Sequence, residues 1–135
     1  MDLDRALAVS AAGMSAQSTR LRVVAENMAN QDSLGQTPGA DPYRRRTVSF
    51  SNRLDRELGV QVLGSPRMGT DSKAFPQHYD PSNPAADDKG YVKRPNVDSL
   101  IELMDMREAQ GSYKANLAVL ETTRGMLMRT IQALG

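Results

Sequence analysis

Cysteine is absent from all 135 residues, which excludes disulfides, thiol nucleophiles and thiolate metal sites together. Tryptophan is absent as well, and with only two Phe and four Tyr the chain is short of the side chains that bury the most area in ordinary cores. Histidine occurs once, as His78. There is no excess of either charge: 17 basic residues against 16 acidic leave a net +1, so charge alone draws in no polyelectrolyte partner. Long apolar runs are missing too. The chain opens Met1-Asp2-Leu3-Asp4-Arg5, with acids where a secretory signal is basic, and this argues against a cleaved signal peptide. Export, if it occurs, is expected to use another route.

The apolar content that is present consists of Leu, Val, Ala and eight Met. Met is unbranched and deformable, and suits surfaces that fit several non-identical neighbours as well as irregular cores. Its placement is periodic. Leu3, Leu7, Ser10, Met14, Gln17, Leu21, Val24 and Met28 alternate by fours and threes, the seam spacing of a coiled-coil helix, and Asn27 and Asn30 are suited to cap its end in a left-handed conformation. The last third repeats the pattern in Leu103, Met106, Gln110, Tyr113, Leu117, Leu120, Arg124, Leu127, Ile131 and Leu134. Its start is signalled by Pro95 and by Asn96, Asp98 and Ser99 as caps, with Ser99 and Glu102 spaced for a capping box.

Residues 31–95 hold all seven prolines and most of the glycines, which disfavours helix there. Strands are expected at Thr47 to Phe50 and Gly59 to Leu63, with a weaker candidate from Lys73 to Tyr79. The expected fold is mainly α with a small β insert: an N-terminal helix in 1–30 and a C-terminal helix in 96–135 forming an antiparallel coiled-coil pair, and a β-rich, irregular middle segment over 31–95.

A second stripe on the C-terminal helix runs two positions before the seam: Ile101, Met104, Glu108, Gly111, Ala115, Ala118, Thr122 and Gly125. Two residues turn a helix by about 200°, so this row of mostly small residues lies opposite the seam, where a neighbouring helix can approach closely. A weaker version on the first helix is Val9, Ala12, Ala16 and Val23. A two-helix hairpin covers one seam of each helix and leaves the opposite rows for a partner. Copies related by a screw rotation would cover them while building a tube. The plainer reading is a compact helical bundle in which the small residues are filler.

Other candidates for chemistry are sparse. His78 lies near Asp71 and Asp80 but has no His or Cys partner to complete a metal or catalytic set. Asp80, Asn83, Asp87 and Asp88 miss the alternating ligand spacing of a calcium loop and fit Asx turns better. Arg44, Arg45 and Arg46 lack the aromatic platform that accompanies a phosphate grip, and a solvated or intersubunit salt-bridging edge is expected instead. Gln17 and Gln110 interrupt the two seams and are candidates for setting helix register. Leu120→Ala is expected to cost about 2 to 5 kcal/mol if Leu120 is buried.

The run Val23-Val24-Ala25-Glu26-Asn27-Met28-Ala29-Asn30-Gln31-Asp32-Ser33 resembles the signature of the flagellar rod and hook axial proteins, in which two Asn residues three apart end the N-terminal helix. Ala11-Ala12-Gly13-Met14-Ser15-Ala16-Gln17 and Ser112-Tyr113-Lys114-Ala115-Asn116 are similar to that family as well. Tyr79-Asp80-Pro81-Ser82-Asn83-Pro84, Gly90-Tyr91-Val92-Lys93-Arg94-Pro95-Asn96-Val97 and Asp105-Met106-Arg107-Glu108-Ala109 extend the resemblance over essentially the whole chain and narrow it to the proximal-rod members. Gln31 stands where Ala is more usual, and Gly111, worth about 1 kcal/mol less than Ala in a helix, replaces a larger residue.

The resemblance implies a structural subunit of the bacterial flagellar basal-body rod, exported uncleaved through the flagellar type III apparatus and assembled in the periplasm into a torque-transmitting shaft. Copies of itself, the rod proteins FlgB, FlgF and FlgG and the adaptor FliE are the implied neighbours. No catalysis, cofactor, metal, nucleic acid or small-molecule substrate is implied. The assembly interface is expected to draw on Leu7, Met14, Leu21, Val24, Asn27, Met28 and Asn30 of the first arm, and on Met106, Tyr113, Asn116, Leu117, Leu120, Leu127 and Ile131 of the second. A coiled-coil adaptor outside the rod would use the same seams.

Overall fold

The computed structural model describes residues 2–135. Two long helices, α1 (Asp2–Ala29) and α2 (Ser99–Leu134), bracket six short strands: β1 (Arg46–Ser49), β2 (Asn52–Asp55), β3 (Val60–Leu63), β4 (Arg67–Thr70), β5 (Gln77–Tyr79) and β6 (Tyr91–Lys93). The strands form three two-stranded sheets, β1 with β4, β2 with β3 and β5 with β6. The mainly helical fold with a small β insert is as expected from periodicity. Gly13 packs against Asn116, and Asn27, fourteen residues further along α1, meets Glu102, fourteen residues earlier along α2, so the helices run antiparallel.

The chain divides into two compact units that cut across both helices. One contains α1 up to Leu21, Val48–Arg67 and α2 from Met106; the other contains Arg22–Thr47 and Met68–Asp105.

In the first unit β2 and β3 make an antiparallel hairpin in which Asn52 faces Leu63 and Asp55 faces Val60. Asp55 closes its turn by accepting the backbone N–H groups of Glu57 and Leu58 on its side chain, an Asx turn. Val62 points inward from this hairpin, and Ser10, Gly13 and Ala16 of α1 and Ala109 and Thr123 of α2 are the buried helical residues.

In the second unit β5 and β6 pair antiparallel, His78 opposite Val92 and Tyr79 opposite Tyr91, with the two Tyr rings edge to face at 5.3 Å. The loop between them is built by its acids and amides. Asp80 and Asn83 accept hydrogen bonds from residues two and three positions on, and Asp87 accepts the N–H groups of Lys89 and Tyr91 on one carboxylate oxygen. Asn83, which accepts Ala85 N–H, and Asp87, which accepts Lys89 N–H, form the expected Asx turns, whereas Asp80 accepts only from the side chains of Ser82 and Asn83. Gly90 closes the loop at φ +84, where a Cβ would sit 2.8 Å from the Tyr79 ring.

The helix ends differ from expectation. Among the described residues no non-glycine has positive φ, so neither Asn27 nor Asn30 is a left-handed cap. Asn30 instead donates its side-chain amide to Glu26 O and accepts from Ser33 Oγ, tightening the last turn. At the start of α2 the cap is one of the expected candidates, Asp98, whose carboxylate accepts Leu100 N–H and whose carbonyl accepts Glu102 N–H. The expected Ser99–Glu102 capping box does not form, because the Glu102 carboxylate is bound elsewhere and Ser99 Oγ donates to Gln31 Oε1.

Candidate assembly interface

Asn27 has all of its side-chain hydrogen-bonding capacity in use. Its amide donates to Arg46 O (2.9 Å) and Glu102 Oε2 (3.4 Å), and its carbonyl oxygen accepts from Tyr43 Oη (2.7 Å) and Arg46 N (2.9 Å). Glu102, 0% exposed, is the largest fully buried side chain. A buried carboxylate is tolerated only when paired, and Arg45 supplies the pair through its Nε, with further links to Asp105 (3.2 Å) and Asp71 (3.4 Å). Asn96 completes the clasp by accepting Arg45 N–H and donating to the carbonyls of Asp71 and Lys73.

Arg44 and Arg45 are therefore spent within the chain, which corrects the expectation of a solvated or intersubunit edge for those two, while Arg46 is exposed. Arg44 lies over the Phe75 ring at 4.1 Å and donates to Asp71 O and Lys73 O. Arg45 enters the clasp, and Arg46 pairs with Glu26 at 3.0 Å. The alternation of Arg45 against its two neighbours follows from an extended backbone.

The electrostatics of the clasp are those of a closed network. Burial works against the charge on Arg45, but its bond to Glu102 and the charges of Glu102 and Asp105 outweigh it, and the guanidinium holds its proton more tightly than usual. Burial, reinforced by Glu26 and Glu102, raises the Tyr43 phenol above its ordinary value. The Lys73 N–H on the Asp71 carboxylate, helped by Arg45, holds that acid below its ordinary value.

The remaining residues expected at an interface divide by depth. Val24 and Asn27 are buried. Leu7, Met14, Leu21, Met28, Asn30, Met106, Tyr113, Asn116, Leu117, Leu120 and Leu127 are half-buried, and Ile131 is exposed. On α2 the buried line is Glu102, Ala109 and Thr123, one residue before the Leu103, Gln110, Leu117, Arg124 row that apolar spacing suggested. One residue turns a helix by about 100°, so Leu103, Gln110 and Arg124 point away and stand exposed. Gln110 therefore cannot set the register of the pair. The opposite stripe of α2 is open as expected: Ile101, Met104, Glu108, Gly111, Ala115, Ala118 and Thr122 are exposed, and a Cβ added at Gly111 would meet no atom within 4 Å. A hollow of about 250 Å³ lies along it, lined by Ala118, Val119, Thr122, Thr123 and Met126. The matching row of α1 does not behave alike, since Ala16 and Val23 are buried and only Val9 is exposed.

The depth of the apolar residues is uneven. Ala16, Val23, Val24, Val62, Ala85, Val92 and Ala109 make up the buried hydrophobic set, and no described Leu, Ile, Met, Phe or Tyr is fully buried. Met104 is 62% exposed, Leu100 65%, Ile131 55% and Leu134 84%. The largest apolar side chains thus keep surface that the chain itself leaves uncovered.

His78 stands exposed on β5, at the edge of a cavity of about 330 Å³ shared with Asp32, Leu34, Asp80, Asn83, Val92 and Arg94. Arg94 is paired there with Asp32 at 2.7 Å. Among the described residues no three His, Asp or Glu side chains converge to hold a metal ion, and no described helix is long and apolar enough to cross a membrane.

Comparison with known proteins gives this surface a context. A family model described as the C-terminal region of flagellar basal-body rod FlgEFG proteins matches residues 88–133, almost all of α2. A flagellar basal-body rod protein FlgC from Agrobacterium fabrum is 52% identical over 132 residues, 98% of this chain and 95% of that protein. The proteins of the same name from Salmonella typhimurium, 39% identical with 91% of both chains covered, and Bacillus subtilis, 37% identical with 93% and 94% covered, are similar over the same span. With a relative this similar along nearly its full length, the chain belongs to the FlgC family of flagellar basal-body rod proteins.

Proposed function

We propose that this structural subunit of the flagellar basal-body rod assembles through the apolar surface its own chain leaves open, above all the outward stripe of α2 and the half-buried seam residues of both helices. The observation that carries this reading is the depth profile: small Ala and Val fill the interior while Leu, Ile and Met remain partly in water. Exposed apolar surface of this extent calls for a partner, and screw-related neighbours are the partners a shaft supplies. Copies of the chain, FlgB, FlgF, FlgG and the adaptor FliE are the proposed neighbours, with delivery, uncleaved, through the flagellar type III apparatus into the periplasm. Torque then passes through packed helices. The role is mechanical, without turnover, cofactor, nucleic acid or small-molecule substrate.

The test is a bulky charge on the open stripe. Ala118 is exposed, so Ala118→Arg is expected to change the stability of the isolated subunit by no more than about 0.5 kcal/mol while abolishing swimming and leaving basal bodies without a complete rod. Normal motility with normal rods in this variant would remove the stripe from the interface.

A further inference from the structure

The two helices touch at two points that differ in kind from the rest of the pair. At one, Gly13 lies so close to Asn116 that a Cβ in its place would stand 2.8 to 2.9 Å from three atoms of the Asn116 side chain. Glycine inside a helix is otherwise unfavourable, so its presence here answers to that approach. At the other, fourteen residues along each helix, Asn27 donates to the fully buried Glu102, which Arg45 neutralises. Between and beyond them the half-buried apolar side chains recur every seven residues, Leu7, Met14, Leu21 and Met28 on α1 and Met106, Tyr113, Leu120 and Leu127 on α2, so a shift of one heptad sets apolar against apolar again.

We propose that these two points are a register lock: Gly13 with Asn116 by shape and Asn27 with Glu102 by polarity select one alignment of a helix pair whose apolar contacts do not distinguish it from alignments one heptad away. A slide of seven residues in one direction sets Asn27 against Ala109 and Asn116 against Arg20. In the other direction Asn27 faces Pro95, outside α2, and Asn116 faces Ala6. Either slide removes Asn27 from the buried Glu102 carboxylate and brings the Asn116 side chain against a residue that has a Cβ. Each heptad is two turns, so the rejected alignments differ from the native one by about 10 Å along the axis. Buried polar groups that stabilise little but specify alignment are best attested in helix pairs.

The absence of cysteine allows the test on the full chain. Spin labels at Ala11→Cys and Lys114→Cys, both exposed, report the axial offset of the pair by pulsed dipolar spectroscopy on dilute protein. The native chain is expected to give one narrow distance, and a broad distribution would overturn the proposal. Replacing the polar point by apolar residues, Asn27→Leu with Arg45→Met and Glu102→Leu, together with Asn116→Ala, is expected to keep helical circular dichroism and to add a second distance population from slipped pairs. A single native distance in that helical variant would overturn the lock, since a purely stabilising role lowers Tm without creating a second alignment. Should it lose helicity, Asn27→Ala with Asn116→Ala retains the Arg45–Glu102 ion pair and is read against the same two outcomes.

Discussion

At the scale of single residues the clasp concentrates cost. Arg45→Ala would leave Glu102 buried and unneutralised, and is expected to destabilise the chain by about 3 to 5 kcal/mol in urea titrations followed by circular dichroism. The paired change Arg45→Met with Glu102→Leu removes both charges and is expected to cost clearly less than the single change. Asn27 and Glu102 also show what a residue list hides. An Asn near a helix end reads as a cap and a Glu four residues after Asp98 reads as a first-turn acid, because those are the local uses of each residue. Their actual partners are fifteen or more residues away, on Tyr43, Arg45 and Arg46, and arrive only when the insert folds against the helices. Leu120 is a smaller correction. It is half-buried, so Leu120→Ala is expected to cost about 1 to 2 kcal/mol in the isolated chain, below the range for a fully enclosed leucine.

At the scale of elements the two helices were legible and half of the strands were not. Seven-residue spacing over 28 and 36 residues leaves little ambiguity. Strands were expected near β1, β3 and β5, but β2 (Asn-Arg-Leu-Asp), β4 (Arg-Met-Gly-Thr) and β6 (Tyr-Val-Lys) carry too few β-branched residues over three or four positions to signal themselves. They are strands because a turn or a partner places them. The β5–β6 loop depends on its turn chemistry, and Gly90→Ala is expected to cost about 1 to 3 kcal/mol, since it meets both a left-handed backbone and the Tyr79 ring. The same loop titrates. Asp87 is held below its ordinary 3.8 by the N–H groups of Tyr91 and Lys89, and Asp71 below the same value by the Lys73 N–H and Arg45. A carboxyl with a lowered value contributes stability that is complete above 3.8 and is lost as pH falls through the lowered value. Amide exchange at Lys73, Lys89 and Tyr91 is therefore expected to keep its extra protection down to about 4 and to lose it, approaching the intrinsic rate, as pH falls further.

At the scale of the whole molecule, the chain resolves an apparent shortage. A polypeptide with no Trp and few other aromatics buries mainly Ala, Val and polar side chains, and leaves its larger apolar residues partly exposed. The purified subunit is accordingly expected to associate reversibly as its concentration rises in sedimentation velocity, and Met104→Glu with Met128→Glu, both at exposed positions, to suppress that association without loss of helicity.

Heptad spacing, the proline-rich middle and the Asx-forming acids were enough to determine two long helices, an irregular β insert, its turns and a family resemblance, because each rests on contacts within a few residues of chain. Which line of each helix faces inward was decided only by the tertiary structure. On α2 Met106, Tyr113, Leu120 and Leu127 of the expected seam are half-buried, whereas Leu103, Gln110 and Arg124 give way to Glu102, Ala109 and Thr123, one residue or about 100° of rotation earlier, and Glu102 is buried against a distant arginine. No local rule ranks Glu102 above Leu103 for burial; that ordering exists only once Asn27, Arg45 and Glu102 have met.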